Sequence, residues 1–386
     1  MSGIKVGRPG VMRDLNKNII LNIVRKKKVS KIELSRLSGL NPSTVTNVMG
    51  ELLLEKKIEY CGKGENNKNG GPKPDMYKLN AQNHFFIGVD IFRKGIKGVV
   101  LDLEESIVAK DFIDARSYES PGISGAIVCL IENLLEKGGL TVDKIVAATI
   151  SVAALVDTNG KKIIATNIPE LRALDMGQIC GALPGARIYM DNDINLLLTG
   201  YIFDKGSSPE NALCVGIRSG IGLGIITNGK IVRGKSGMSG DLSHYYANGS
   251  KRCKCGNIGC FDTILGEDAL VELLCGYLQN KEATIENLYE ILSRGDARLI
   301  SLIEKPFGQL AIFIGGLVQL FNPTHILIGG EIFNYCERLF DYIVSSSSGY
   351  YNAGSFEREN FIKIHLEDET IARCAGKYAI DEYFRL

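Results

Sequence analysis

Four side chains stand out for the chemistry they could do together. Cys253, Cys255 and Cys260 fall within eight residues on a glycine-bearing turn, and His244 lies nine residues upstream of the first. Three thiolates and one imidazole complete a tetrahedral shell and leave no open ligand position, which is a structural rather than a catalytic metal site. Soft sulfur ligands select zinc over magnesium or calcium. The expectation is one structural Zn2+ on His244, Cys253, Cys255 and Cys260. The other seven of the ten cysteines are scattered. The first residues, MSGIKVGRPGVMRDLNK, lack the apolar middle of a secretory signal, so reduced thiols and a cytoplasmic location are expected. Leu310 to Phe321, the richest apolar stretch, is interrupted by Gly315-Gly316 and falls short of the ~20 residues of a membrane span.

A second set of side chains is suited to a polyanion. Residues 1–82 carry a formal charge of +9 and the remaining 304 carry −8, although the whole chain is only +1. Ile19, Ile20, Ile23 and Val24 make one helical stripe. Ser30 and Glu33 have the spacing of a capping box that opens a short second helix, which should end at Gly39. Asn41-Pro42 reads as the cap and first position of a third helix. In it Val45, Val48, Met49 and Leu52 face inward, leaving Ser43, Thr44, Thr46 and Asn47 for base edges and phosphates. Strands at Lys56–Tyr60 and Met76–Leu79 flank a Gly/Asn/Lys-rich loop bearing Lys63, Lys68 and Lys73. Together these make a winged helix-turn-helix over residues 1–82, with double-stranded operator DNA as its partner.

The rest of the chain must position the metal turn and whatever it serves. Phe85 to Asp90 reads as a buried strand ending in a carboxylate, followed by strands at Gly98–Leu103 and Ser106–Val108. Ala212 to Gly216, Ile221 to Thr227, an Asn228-Gly229 hairpin turn and Ile231-Val232 repeat that order about 126 residues later. A duplicated strand unit predicts two similar α/β lobes with a ligand-binding cleft between them. The expected lobes are residues 83–200, completed by a C-terminal helix over 371–386, and residues 201–370, which carry the zinc site.

The stretch NALCVGIRSGIGLGIITNGKIVRGKSGMSGDLSH, followed by CKCGNIGCFD, resembles the ROK family of repressors, open reading frames and sugar kinases. With a winged module in front, the chain is most similar to its sugar-responsive repressor branch. The resemblance implies an actin-like (ribonuclease H-like) two-lobed sugar-kinase fold, and the same His and three Cys as metal ligands. It also implies a sugar pocket formed by Asn167, Asn192, Asp193, Asp241, His244 and Asp262. At Asp241 and Asp262 the family has glutamate, one methylene longer, and its Pro-Gly-Pro-Val-Asp is replaced by Ala153-Ala154-Leu155-Val156-Asp157.

Asp193 would be the general base if the chain were a kinase. The first phosphate loop of the kinases, Asp-x-Gly-Gly-Thr-Lys, is here Asp90-Ile91-Phe92-Arg93-Lys94-Gly95, and Arg218 stands where they have glycine. A backbone cradle for phosphate needs small residues. The expectation is therefore a non-enzymatic transcriptional regulator that senses a sugar or sugar phosphate, assembled as a homodimer or homotetramer and without membrane attachment. The alternatives are an active sugar kinase with an appended DNA-binding module, and a DNA-binding regulator with a non-functional pocket.

Overall fold

The computed structural model describes residues 9–65, 72–118, 122–204, 211–352, 354 and 356–384. At its start, helices Pro9–Lys26, Lys31–Ser38 and Pro42–Leu54 pack around Leu34, Val45, Val48, Met49 and Leu52, all buried. Ser30 accepts from the Glu33 amide while Glu33 reaches back to the Ser30 amide, and Gly39 closes the helix at φ 69°. Asn41 stands at the N-cap with Pro42 at the first helical position, as expected; its backbone is extended and its carbonyl accepts from the Val45 amide, but its side chain makes no capping hydrogen bond. Strand Asp75–Leu79 pairs antiparallel with both Ile58–Lys63 and the short Val29–Ser30, which ties the wing to the turn between the first two helices.

Two five-stranded sheets follow, and they have one topology. In the first, Phe85–Phe92 pairs antiparallel with Gly95–Leu101, and that strand with Ile107–Asp114. On its other side Phe85–Phe92 runs parallel to Ile145–Val152, which runs parallel to Arg187–Asn192. In the second, Ala212–Ile217, Ile221–Thr227, Lys230–Ile231, His325–Gly330 and Phe361–Ile364 take the same places in the same directions. The third strand of the first lobe is longer than its sequence suggests. It is an edge strand whose side chains are mostly exposed or half-buried, so no apolar run marks its length.

Helix Ala297–Phe321 passes through Gly315-Gly316 without a break. Among the described residues it is the one helix long and apolar enough to cross a membrane. Here its Leu299, Ile303, Phe307, Leu310 and Ile314 are fully buried in the core of the second lobe.

The C-terminal helix Thr370–Phe384 returns to the first sheet. Gly88 is needed there because a Cβ would lie 1.9 Å from the Ala372 carbonyl oxygen. The far end of this helix meets the winged module. Ala379, Ile380 and Phe384 share one hydrophobic core with Phe86 of the first sheet and Ile20, Leu21 and Val24 of the first helix. Arg25 reinforces the junction by donating to Asp381 at 2.5 Å and to Glu105 at 2.7 Å. The module is therefore packed on the first lobe rather than tethered to it.

Candidate functional site

The cleft lies where the strand ends of the two lobes face each other. It encloses a cavity of about 450 Å³ whose walls include Asn167, Asn192, Asp193, Asp241 and His244. Asp262 approaches the same place. A Cβ on Gly220 would sit 3.5 Å from Asn167 Nδ2 and 3.6 Å from Asp262 Oδ1, so a first-lobe amide and a second-lobe carboxylate converge beside this glycine. Burial pushes the Asp262 carboxyl above its ordinary range. Ser243 fixes the loop between Asp241 and His244 by donating to the Ile221 carbonyl at 2.9 Å, and its own carbonyl accepts from the Asp262 amide.

The metal turn borders this cavity, and Cys255 is part of its wall. His244 Nδ1 lies 3.6 Å from Cys253 Sγ, and Cys255 Sγ lies 3.7 Å from Cys260 Sγ. The four ligand atoms lie within 4.8 Å of one another. Bonds of about 2.3 Å to sulfur and 2.0 Å to nitrogen in a tetrahedron separate neighbouring ligands by about 3.5–3.8 Å. The cluster is spaced to hold a metal ion. Gly259 at φ 78° lets the turn press against Gly249, whose carbonyl would be 2.4 Å from an added Cβ.

Two of the expected sugar ligands are already engaged. Asn192 donates to the Ala154 carbonyl at 3.0 Å and accepts from the Ile194 and Asn195 amides, so it caps helix Asp193–Asp204. Asp193, 4% exposed, accepts from the Ile194 amide at one oxygen and from Arg218 at 2.7 Å at the other. Arg218 reaches from the second lobe and also donates to Asp90 at 2.8 Å. Burial pushes the Asp193 carboxyl up, Arg218 pulls it back and Asp90 pushes it up again; the net direction is upward. Burial lowers the Arg218 guanidinium, but the two carboxylates outweigh that and hold it charged.

A second crossing was not anticipated. Arg233 of the second lobe donates to both oxygens of Asp191 at 2.7 and 2.5 Å. Asp191 is 3% exposed at the side chain and precedes the Asn192-Asp193 pair. The sequence signal was three acidic or amide residues in a row, Asp191-Asn192-Asp193, at a strand end.

The phosphate-loop residues take different paths. Phe92 lies under the Arg218 guanidinium, 5.7 Å from it, and against Phe112. Arg93 turns away to the second lobe, where it pairs with Asp268 at 2.5 Å. Phe92 therefore lines the approach to Asp90, whereas Arg93 sits at the rim of the cleft.

On the module, Ser43, Thr46 and Asn47 are exposed and Thr44 is half-buried along one face of helix Pro42–Leu54. Its other face is in the core. Glu51 ties this helix to the first one through Arg13 and Lys17. Lys73 is exposed, and Lys63 pairs with Asp75 across the base of the wing at 2.6 Å. Lys68 lies outside the described residues.

Residues 86–380 match the ROK family. The chain belongs to the ROK family. It is 26% identical over 325 residues to the xylose repressor of Bacillus spizizenii, covering 83% of each chain. It is 23% identical over 341 residues to the DNA-binding transcriptional dual regulator NagC of Escherichia coli, covering 85% of this chain and 83% of that one. Among solved structures it is similar to a ROK family transcriptional regulator described as a homolog of the Escherichia coli MLC protein. That likeness has a TM-score of 0.77 at 20% identity, over 97% of this chain and 98% of the other. That likeness takes in the winged module as well as the two-lobed body.

Proposed function

We propose that this ROK protein is a transcriptional repressor that binds operator DNA through its winged module and responds to a sugar in the cleft. Similarity to a xylose repressor and to NagC supports the regulatory role. The observation that carries the choice over a kinase is the Arg218 bridge. In the ligand-free protein the Arg218 guanidinium pairs with Asp193 and with Asp90, at the start of the first phosphate loop, where Phe92 and Arg93 replace the small residues that a phosphate cradle needs.

Asn167, Asp241 and Asp262 then supply the amide and carboxylate groups that vicinal hydroxyls pair with. Zn2+ is the ion that suits one imidazole and three thiolates. It would be held by His244, Cys253, Cys255 and Cys260 and would stiffen the loops that present Asp241 and Asp262. Helix Pro42–Leu54 would enter the major groove, with Ser43, Thr44, Thr46 and Asn47 toward the bases and Lys63, Lys68 and Lys73 near the backbone. A homodimer would place two such helices on a two-fold operator.

The kinase alternative draws on Gly220, Gly222 and Gly224, which keep a small-residue loop in the second lobe. One experiment separates the readings. The full chain is screened by thermal shift against neutral sugars and sugar phosphates, with ADP release measured in parallel. A ligand at 100 times its Kd stabilises by about 2.7 kcal/mol. Stabilisation by one sugar without ADP release is expected; sugar-dependent ADP release would instead establish a kinase.

A further inference from the structure

We propose that Arg218 is a strut across the cleft, which sets the angle between the lobes in the empty protein and yields when a ligand draws on Asp193. The second half rests on the cleft being the effector site; the first half does not. Three features of the geometry support it. The guanidinium leaves the second lobe at the end of strand Ala212–Ile217 and meets carboxylates at the ends of two first-sheet strands, Asp90 on Phe85–Phe92 and Asp193 directly after Arg187–Asn192. All three side chains are nearly buried, at 11%, 5% and 6% exposure. Charges so withdrawn from water are weakly screened and lose strongly if a partner leaves. The planar fork of an arginine can serve two carboxylates at once, which a lysine point charge cannot.

Each carboxylate is independently aimed. Ser151 donates to Asp90 at 3.0 Å, and the Ile194 amide donates to Asp193 at 3.0 Å. The strut therefore has fixed anchors at one end. Phe92 covers one face of the guanidinium at 5.7 Å.

Asp193 also heads the helix that packs against Thr370–Phe384 through Gly200, where an added Cβ would lie 2.5 Å from Cys374 Sγ. That C-terminal helix shares its core with the winged module. A change in the Arg218 contact thus acts on one contiguous path of packed helices from cleft to module. Ligand-driven regulation requires such a path to have two arrangements, which an inter-lobe distance reports.

The test is an inter-lobe distance. Spin labels carried on unnatural residues replace Arg116 of the first lobe and Arg294 of the second, both exposed, which leaves the metal cysteines untouched. Pulsed-resonance distances are recorded on the metal-loaded full chain without ligand. A single narrow distribution is expected for the parent, a broadened or shifted one for Arg218→Met, and an intermediate one for Arg218→Lys. Because Arg218→Met orphans two buried carboxylates, the triple variant R218M/D90N/D193N is measured as well. It removes the strut without leaving bare charges, and it should show the same broadening while keeping its helical circular dichroism. An unchanged narrow distance in the folded triple variant would overturn the strut.

D-xylose and N-acetyl-D-glucosamine are then added to the parent. A shift toward the Arg218→Met distribution with either sugar supports the second half. Sugar that stabilises the protein yet leaves the distance unmoved overturns it and leaves the sensing reading intact. No sugar binding at all counts against the sensing reading, while the narrow ligand-free distance still supports the strut.

Discussion

Phe384→Ala tests how firmly the winged module is fixed to the body. The ring is 2% exposed and stands in the core shared by the C-terminal helix, the first sheet and the first helix of the module. Buried Phe→Ala replacements cost about 3–5 kcal/mol. Phe384 ends its helix, where neighbours can partly collapse, so the lower end applies, about 3 kcal/mol. The Arg25 guanidinium lies 5.1 Å above the ring, and losing that contact adds about 0.5–1 kcal/mol. The loss falls on the junction, not on the interior of either unit. Calorimetry should therefore show the module melting separately and earlier in the variant. The chain has no Trp, so circular dichroism at 222 nm serves as the second probe. A single transition with a stability loss under about 1 kcal/mol would refute the shared core.

Acid should loosen the same junction. Burial and nearby Lys57 hold the His84 imidazole down to about 4, and its Nδ1 has no hydrogen-bond partner among the described residues. A depressed histidine contributes stability that is complete above its ordinary value of 6.5 and fades as pH falls from there toward 4. After allowance for solvent screening at this half-buried group we expect a loss of about 1–2 kcal/mol across that window, absent in His84→Phe; identical pH profiles for the two proteins would contradict it. Cys255→Ser should release the metal and lower the stability of the second lobe, measured by elemental analysis and urea denaturation; a parent protein without metal, with the exposed Cys255 thiol titratable while folded, would refute the site. Asn47→Ala should weaken operator binding by about 1–3 kcal/mol if it reads a base, and Lys73→Ala should weaken all DNA binding and flatten its salt dependence; unchanged footprints for both would remove the DNA-reading role.

Features fixed by neighbours in sequence were legible from it. The Ser30–Glu33 capping box, the αL Gly39 and the Asn228-Gly229 turn follow from local sterics and donors, and they stand as read. The repeat of three strands was legible for the same reason, and it implied the duplicated lobes. Asn41 takes the cap position as read, but residue type does not fix side-chain direction, and its side chain makes no capping hydrogen bond. The cleft electrostatics were hidden. Arg218 and Asp90 are 128 positions apart, and Arg233 and Asp191 are 42 apart, and only the packing of the two lobes brings them together. The sequence marked Arg218 as a departure from a glycine and so as a lost phosphate contact. It could not show that the guanidinium gains two carboxylates, one of them the expected base. Asn192 and Asp193 illustrate the general difficulty: a polar pair at a strand end serves equally as a ligand set or as the cap of the next helix, and here Asn192 caps while both residues also line the cavity.

The central claim is that one chain joins sequence-specific DNA binding to sugar sensing. Selection of bound fragments from the source genome by the purified full-length protein, followed by anisotropy titration of the enriched sequence with and without the sugar found by thermal shift, tests it most directly. The account predicts an enriched two-fold symmetric site, bound with steep salt dependence, whose affinity changes at least tenfold when that sugar is added. Enrichment of no sequence, or a selected site whose affinity ignores every sugar that stabilises the protein, would contradict it.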